Sequence, residues 1–329
     1  MTLTDLPDPV PEENEVLLKV EAVGICGSDV HGFTGESGRR SPGMVMGHEV
    51  CGRVAVLGAG VDSVRVDDLV TLYNLMSCGQ CTFCVAGTEQ LCETKKILGV
   101  NLDKWGAMAE YLRFPASGLF KIGEGIDPAL SLLAEPIGVG IHAMTLMDPS
   151  ADDAVAIVGS GMIGTGLAIV LKNRGVEHVF GLDIVPKKLD LLASYGAHPI
   201  NIKTQDPFDI IRKVSGKEFA DGTFEAVGLS ETVQNAFELT APGGTLVIIG
   251  NLAKEFSLPM QLVTWRETVI RGSYGFTRAD FGAAVDLINS RKVALDKLIT
   301  GTCSLEEAPE VMTRMARGQL QATKMVIRP

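Results

Sequence analysis

Two textures of apolar spacing divide this chain. Residues 16–23, Val-Leu-Leu-Lys-Val-Glu-Ala-Val, alternate apolar and charged positions toward their end, and that period of two predicts a half-buried strand. From there to residue 120, glycines interrupt short runs such as Cys51-Gly-Arg-Val-Ala-Val-Leu-Gly and Asp68-Leu-Val-Thr-Leu. Such punctuation predicts small β structure joined by long loops. Beyond residue 130, Val155-Ala-Ile-Val, His178-Val-Phe-Gly-Leu, Glu225-Ala-Val and Thr245-Leu-Val-Ile-Ile are short apolar runs separated by helical patterns. Their alternation predicts a parallel sheet covered by helices. Residues 281–290 form a further amphipathic helical pattern, and Ser304-Leu-Glu-Glu opens another with a capping box.

A length of 329 residues predicts two domains. Apolar residues make up 46% and charged residues 21%, the balance of an ordinary globular protein. Two long apolar stretches need separate attention. Residues 130–147 contain Glu135, Pro136 and His142, and residues 155–171 are broken by four glycines, so neither is expected to span a membrane. A net charge of −11 works against nucleic-acid and anionic-membrane surfaces, which want basic patches. The first residues, Met1 to Pro11, have neither a basic nor an apolar segment of the kind a signal peptide needs. A soluble, cytoplasmic protein in a reducing compartment is the expectation.

Cysteine changes the picture. Four of the seven cysteines fall within fifteen residues, Cys78, Cys81, Cys84 and Cys92, with spacing C-x2-C-x2-C-x7-C. Adjacent C-x2-C pairs close poor disulfide loops, whereas four soft thiolates on one tight lobe are what tetrahedral zinc requires. Four protein ligands leave no open position, so this metal is structural. No basic helix follows, which argues against a nucleic-acid-binding finger.

Gly159-Ser-Gly161-Met162-Ile163-Gly164 is G-x-G-x-x-G, and its surroundings give it meaning. An apolar strand precedes it, a helical pattern follows, and a second strand ends in Asp183, nineteen residues beyond Gly164. Glycines there let backbone N–H groups approach a pyrophosphate at the positive end of a helix. Asp183 can accept from the hydroxyls of an adenosine ribose and repels a 2′-phosphate, which favours NAD over NADP. Lys187 and Lys188 work the other way, since either can approach a phosphate.

Outside the lobe, Cys26-Gly-Ser28-Asp-Val-His31, Gly47-His48-Glu49 and Ala134-Glu135-Pro136 offer sulfur, nitrogen and oxygen ligands. That mixture suits a zinc that keeps a position open for water or substrate. Spacing alone does not bring residues 26, 48 and 135 together. These motifs, with the cysteine lobe, Ala109-Glu110-Tyr111 and the glycine loop, resemble the zinc-containing medium-chain dehydrogenases, closest to the polyol (sorbitol-type) and threonine dehydrogenase branches. The resemblance spans most of the chain, in the family's order.

That resemblance implies an α/β fold with a GroES-like, β-rich catalytic domain at residues 1–138 and 275–329. A doubly wound Rossmann domain, residues 139–274, is inserted between. It implies Cys26 and His48 as catalytic zinc ligands, with Glu49 or Glu135 in the remaining protein position. Ser28 and His31 match positions on the route of the alcohol proton. Val227, Gly228, Ile249, Gly250 and Ser273, with Lys188 and the glycine loop, are implied as cofactor contacts. Cys51 and Cys303 match no ligand motif and are expected in the core. His142 is expected to pack on the helix after Glu135, and His178 and His198 at the surface.

Three departures stand out. Against that family the chain begins late, so an absent first hairpin or a misassigned start codon is the expectation. Met108 stands where an aromatic residue often lines the substrate pocket, beside an unusual Trp105. Ala-Glu-Pro around Glu135 favours the polyol side.

The implied reaction oxidises CH–OH to C=O with NAD⁺. Zinc lowers the alcohol's pKa, and the proton leaves through Ser28 toward His31. The expected substrate is a small secondary alcohol, a polyol or sugar alcohol. A threonine-type dehydrogenase or aldehyde reductase would use the same machinery. A non-catalytic NAD- and zinc-binding redox sensor is the alternative of a different class, against which Cys26, His48, Glu49 and Ser28 together count. A homodimer or homotetramer, paired through residues 268–276, is also implied.

Overall fold

The computed structural model describes residues 1–36, 38, 40–102 and 105–329. The chain forms two compact units, Met1–Glu135 with Thr277–Pro329, and Pro136–Phe276. Fifteen strands are described. In the first stretch they are β1 (Glu15–Ile25), β2 (Glu49–Leu57), β3 (Leu69–Leu72), β4 (Leu75–Met76), β5 (Lys96–Ile97), β6 (Tyr111–Pro115) and β7 (Leu119–Lys121). Next come β8 (Ala154–Val158), β9 (His178–Asp183), β10 (His198–Asn201), β11 (Ala220–Glu225), β12 (Thr240–Ile248) and β13 (Val269–Gly272). The chain closes with β14 (Ile299–Ser304) and β15 (Lys324–Arg328).

The first unit is built on a seven-stranded sheet in the order β14-β15-β1-β2-β3-β7, with β6 also on β1. β1 alternates in burial from Glu15 to Ala22, with Lys19 exposed, as the sequence predicts, and is then buried continuously through Ile25. Its core gathers Val16, Leu18, Val20 and Ile25 with Val54, Leu72, Leu112, Phe114 and Ile327. Cys51 and Cys303 are buried, as expected of core thiols. Burial pushes the Cys51 thiol up to about 12, so it stays protonated.

The second unit is a six-stranded parallel sheet, β10-β9-β8-β11-β12-β13. β8 is buried at all five positions, the continuous apolar run of a central parallel strand. β11 corrects the reading of the sequence. The run seen at Glu225-Ala-Val is not the strand, which begins at Ala220 and ends at Glu225. Its polar residues hid it. Thr223 is buried because its hydroxyl bonds Thr240 Oγ1 at 2.6 Å and the Ala236 carbonyl at 3.1 Å. The capping box at Ser304 forms, its Oγ accepting from Glu307 N–H at 3.3 Å, but the helix starts later than expected. Ser304 ends β14, its N–H donates to Glu307 Oε2 at 2.9 Å, and the helix itself runs Ala308–Ala316.

One helical stretch, Pro128–Met147, is long and apolar enough to cross a membrane by length and composition, yet 56% of its window is buried within the protein. His142 lies on it and is buried. His198 is half-buried and tilts against Phe180 at 5.4 Å between centroids, so it is less a surface residue than its sequence context implies.

Candidate active site and metal centres

Three strand ends meet in the first unit. Glu49, the first residue of β2, sits opposite Gly24 of β1, and Met325 of β15 sits opposite Ile25. A Cβ on Gly24 would lie 2.0 Å from Glu49 Oε2, so only glycine lets the carboxylate occupy this spot. Cys26 follows β1 directly and His48 precedes β2. Sheet register therefore brings together residues that sequence spacing could not. Ligand atoms of Cys26, His48 and Glu49 all lie within 4.8 Å of one another. His48 and Glu49 are buried. A thiol, an imidazole and a carboxylate at this separation fit one zinc with an open position.

Around these three the structure adds residues that the sequence did not reveal as functional. Asp29 is fully buried, with Oδ1 3.4 Å from His48 Nδ1 and 2.9 Å from Arg40 Nη2, and Oδ2 accepts from the Cys26 N–H at 3.2 Å. Burial raises the Asp29 carboxyl, but His48 and Arg40 outweigh it and hold it below its usual range. Burial likewise opposes the protonated form of His48, yet Asp29 and Cys26 keep it well above the ordinary imidazole value. A carboxylate behind a metal-binding histidine fixes the tautomer and orientation of the ring.

Lys324, the first residue of β15, has 3% of its side chain exposed, and its Nζ donates to both oxygens of Glu49 at 2.6 Å. Burial works against its charge, but Glu49 and Cys26 outweigh that and raise its pKa.

Glu135 stands apart from the three-ligand group. Its Oε1 accepts from Asn74 Nδ2 at 3.4 Å, and the same nitrogen bonds the His48 carbonyl at 3.1 Å. Burial foremost lifts Glu135 to about 7, with His48 and Lys324 pulling back and Glu49 adding to the rise. The carboxylate gathered with Cys26 and His48 is thus Glu49.

Ser28 and His31 share the helix Gly27–Phe33 at i and i+3, one face of a helical turn. His31 Nδ1 meets Glu36 Oε2 at 2.8 Å. Met108 is buried in the core, and Arg113 lies over the Trp105 ring at 5.3 Å.

In the lobe, the four sulfurs of Cys78, Cys81, Cys84 and Cys92 also fall within 4.8 Å of one another. Cys81 and Cys84 are 3.5 Å apart, and Cys78 and Cys84 3.9 Å. A zinc–sulfur tetrahedron has edges of about 3.8 Å, so the lobe fits the ion without rearrangement. All seven cysteines are free thiols. Donation from the Cys78 backbone and from the Thr94 hydroxyl holds the Cys92 thiol down at about 6, the ionised form a metal needs.

In the second unit, Gly159 has φ +100° and its N–H donates to the Leu182 carbonyl at 2.8 Å. Gly161 precedes the helix Met162–Arg174, and a Cβ there would meet open space. A Cβ on Gly164 would lie 1.8 Å from the Gly159 carbonyl oxygen. The second glycine thus leaves room beside the backbone and the third permits close packing, a division of labour that fits a pyrophosphate. Asp183 ends β9, its Oδ1 accepting from Ile184 and Val185 N–H and its Oδ2 from Ser160 N–H at 3.0 Å. Oδ2 keeps capacity for a further donor. Lys188 Nζ is 3.7 Å from that oxygen and offsets part of its charge.

Val227, Gly228, Ile249 and Gly250 sit together just beyond β11 and β12. A Cβ on Gly250 would lie 2.1 Å from the Gly228 nitrogen. Ser273 follows β13, and its N–H donates to the Ile248 carbonyl at 2.8 Å.

Both units have counterparts among known proteins. Residues 12–124 match the alcohol dehydrogenase GroES-like domain and residues 163–290 the zinc-binding dehydrogenase domain. Sorbitol dehydrogenase of Bacillus subtilis (strain 168) is 30% identical over 330 residues, covering 98% of this chain and 92% of that one. L-galactonate-5-dehydrogenase of Escherichia coli (strain K12) is 30% identical over 293 residues, 89% of this chain and 85% of the other. Among solved structures, an alcohol dehydrogenase from Escherichia coli CFT073 in complex with NADH superposes with a TM-score of 0.87 at 28% identity, covering 98% of this chain and 94% of that one. The chain belongs to the zinc-containing medium-chain alcohol dehydrogenases, in the polyol and threonine dehydrogenase-like branch.

Proposed function

We propose that this enzyme oxidises a secondary alcohol on a small polar carbon chain, a sugar alcohol or related vicinal diol, with NAD as its redox cofactor. The buried sulfur, nitrogen and oxygen set of Cys26, His48 and Glu49 carries the reading, because a protein that only bound NAD would have no use for an open metal position. When bound, zinc supplies Lewis acidity that lowers the pKa of an alcohol, and NAD supplies the hydride acceptor.

The chain's own residues do the rest. Asp29 orients the His48 ring, and Lys324 holds the Glu49 carboxylate. Ser28 takes the alcohol proton toward His31 along one helical face, and Glu36 holds the Nδ1 side of that imidazole. A diol offers a second hydroxyl to a buried acid such as Glu135, beyond the Asn74 amide it already accepts from, and an analogue without it forgoes that bond. The sorbitol and galactonate dehydrogenase relatives support this substrate class.

The test is a panel of polyols, ethanol and aromatic primary alcohols with NAD⁺, read by the absorbance of reduced nicotinamide. Polyols should lead in kcat/KM. Ethanol or an aromatic primary alcohol ahead of every polyol would overturn the substrate assignment.

The protein works in the cytoplasm as an assembly of two or four chains. β13 ends the path of its sheet and exposes Val269 and Ile270, near an exposed Trp265, which supports pairing along this edge. A solution mass of one chain would contradict it.

A further inference from the structure

At the end of β11 lies Glu225, a carboxylate with no exposed surface. Its Oε1 accepts three bonds, from Val227 N–H at 2.9 Å, Gly228 N–H at 2.8 Å and Thr232 Oγ1 at 2.7 Å. Its backbone carbonyl accepts two more, from Ile249 N–H at 2.8 Å and Gly250 N–H at 3.1 Å. One residue thereby ties the turn after β11 to the turn after β12. Gly228 has φ +88°, a conformation that lets its N–H turn back to the carboxylate. Burying an acid is costly, and a tight turn does not need one. Its Oε2 is buried without a partner, so the side chain is kept there for the three donors gathered on Oε1, which fix the turn after β11 more firmly than packing alone would.

Sheet order says what the turns are placed for. β8 carries the glycine loop at the centre, and β9, which ends in Asp183, lies on one side of it. β11 and β12 lie on the other side. A dinucleotide whose pyrophosphate crosses the end of β8 and whose adenosine ribose reaches β9 must extend its other half over the ends of β11 and β12.

We infer that Glu225 is a positioning residue of the cofactor site, its side chain holding the turn after β11, one of the two turns that receive the nicotinamide riboside half of NAD, while leaving the adenosine half untouched. This rests on the reading of residues 159–164 and 183 as the dinucleotide site. Glu225 touches no cofactor atom in this role; its side chain acts through Val227 and Gly228. Its place in the chain hides it, because an acid before Ala-Val reads as the polar edge of an apolar run.

The test compares NADH and ADP binding to zinc-loaded protein, by nicotinamide fluorescence and by calorimetry, for wild type, Glu225→Ala and Glu225→Gln. Loss of the three bonds to Oε1 should weaken NADH by about tenfold or more in Glu225→Ala. Glutamine keeps a neutral acceptor at Oε1 and should recover most of that, leaving about a threefold deficit. ADP affinity should stay within about twofold of wild type in both. Unchanged NADH affinity in Glu225→Ala overturns the inference, and so does an equal loss for NADH and ADP, which marks general damage. Should Glu225→Ala fail to fold, Glu225→Gln decides by the same comparison, since wild-type NADH affinity there overturns it. Wild type that binds neither NADH nor ADP would instead refute the dinucleotide site itself.

Discussion

A lysine with 3% of its side chain exposed keeps its charge only beside an acid, and Lys324 has one in Glu49. Taking Lys324 away strands the carboxylate, and breaking one side of a buried pair costs about 3–5 kcal/mol. If Glu49 is a ligand, a bound metal returns positive charge to the same oxygens. Lys324→Met should therefore lose about that much stability in chelator-treated protein and clearly less in zinc-loaded protein, as read by urea unfolding of the two forms. Equal losses in both forms would mean that Glu49 faces the lysine alone and is not a metal ligand. The same residue shows where sequence reading stops. Lys324-Met-Val-Ile-Arg328 is an apolar strand with a charge at each end, yet Lys324 is buried and Arg328 exposed. Nothing local distinguishes them, because the acid that draws Lys324 inward lies 275 residues away.

Local elements carry a different kind of information. Asp127 caps the short helix Pro128–Ser131 by accepting from Ala129 N–H at 2.9 Å, and Arg328 Nη2 meets its Oδ1 at 2.9 Å. Its slight burial raises the carboxyl, but the Ala129 N–H and Arg328 outweigh this and lower it. A depressed acid adds stability above its unfolded pKa of about 3.9 and loses that contribution as pH falls through the lower native value. Asp127→Ala should cost about 1 kcal/mol at neutral pH. The gap to wild type should then close on acidification below about pH 4, measured as urea midpoints across pH. A gap that persists at low pH would assign the loss to packing.

Elements set by local chemistry were legible in the sequence. The glycine loop, the strand before it and the acid ending β9 all announced themselves through spacing and turn residues. β11 did not, since Asp221, Gly222 and Thr223 look like a loop until tertiary partners satisfy them. The pairing of Cys26 with His48 was available only through resemblance, which left Glu49 and Glu135 open as the third partner, because register between β1 and β2 is long-range information. Asp29 had a faint signal, an acid three residues after the cysteine, whereas Arg40 and Asn74 had none.

At the scale of the whole molecule, the two proposed metal centres differ in kind and should separate in experiment. The lobe offers four thiol sulfurs and no free position, while the Cys26 centre offers three ligands of mixed type on the ends of a sheet. Each chain should hold about two zinc ions when fully loaded. Limiting chelator should remove the less fully ligated ion first, taking activity with it while the fold persists. Cys26→Ser should reproduce that state, with about one zinc retained and normal circular dichroism. Cys81→Ser should do the opposite at the level of structure. It opens the closed site, and Glu89, which lies inside the lobe's sequence and accepts from Arg278 N–H at 2.7 Å and Tyr73 Oη at 3.2 Å, loses its anchor. That carboxylate ties the lobe to the start of the helix Arg278–Ser290, so metal loss there should lower solubility and thermal stability together. Metal analysis showing at most one zinc in folded, fully loaded wild type would contradict the two-centre assignment, whichever variant behaved as expected.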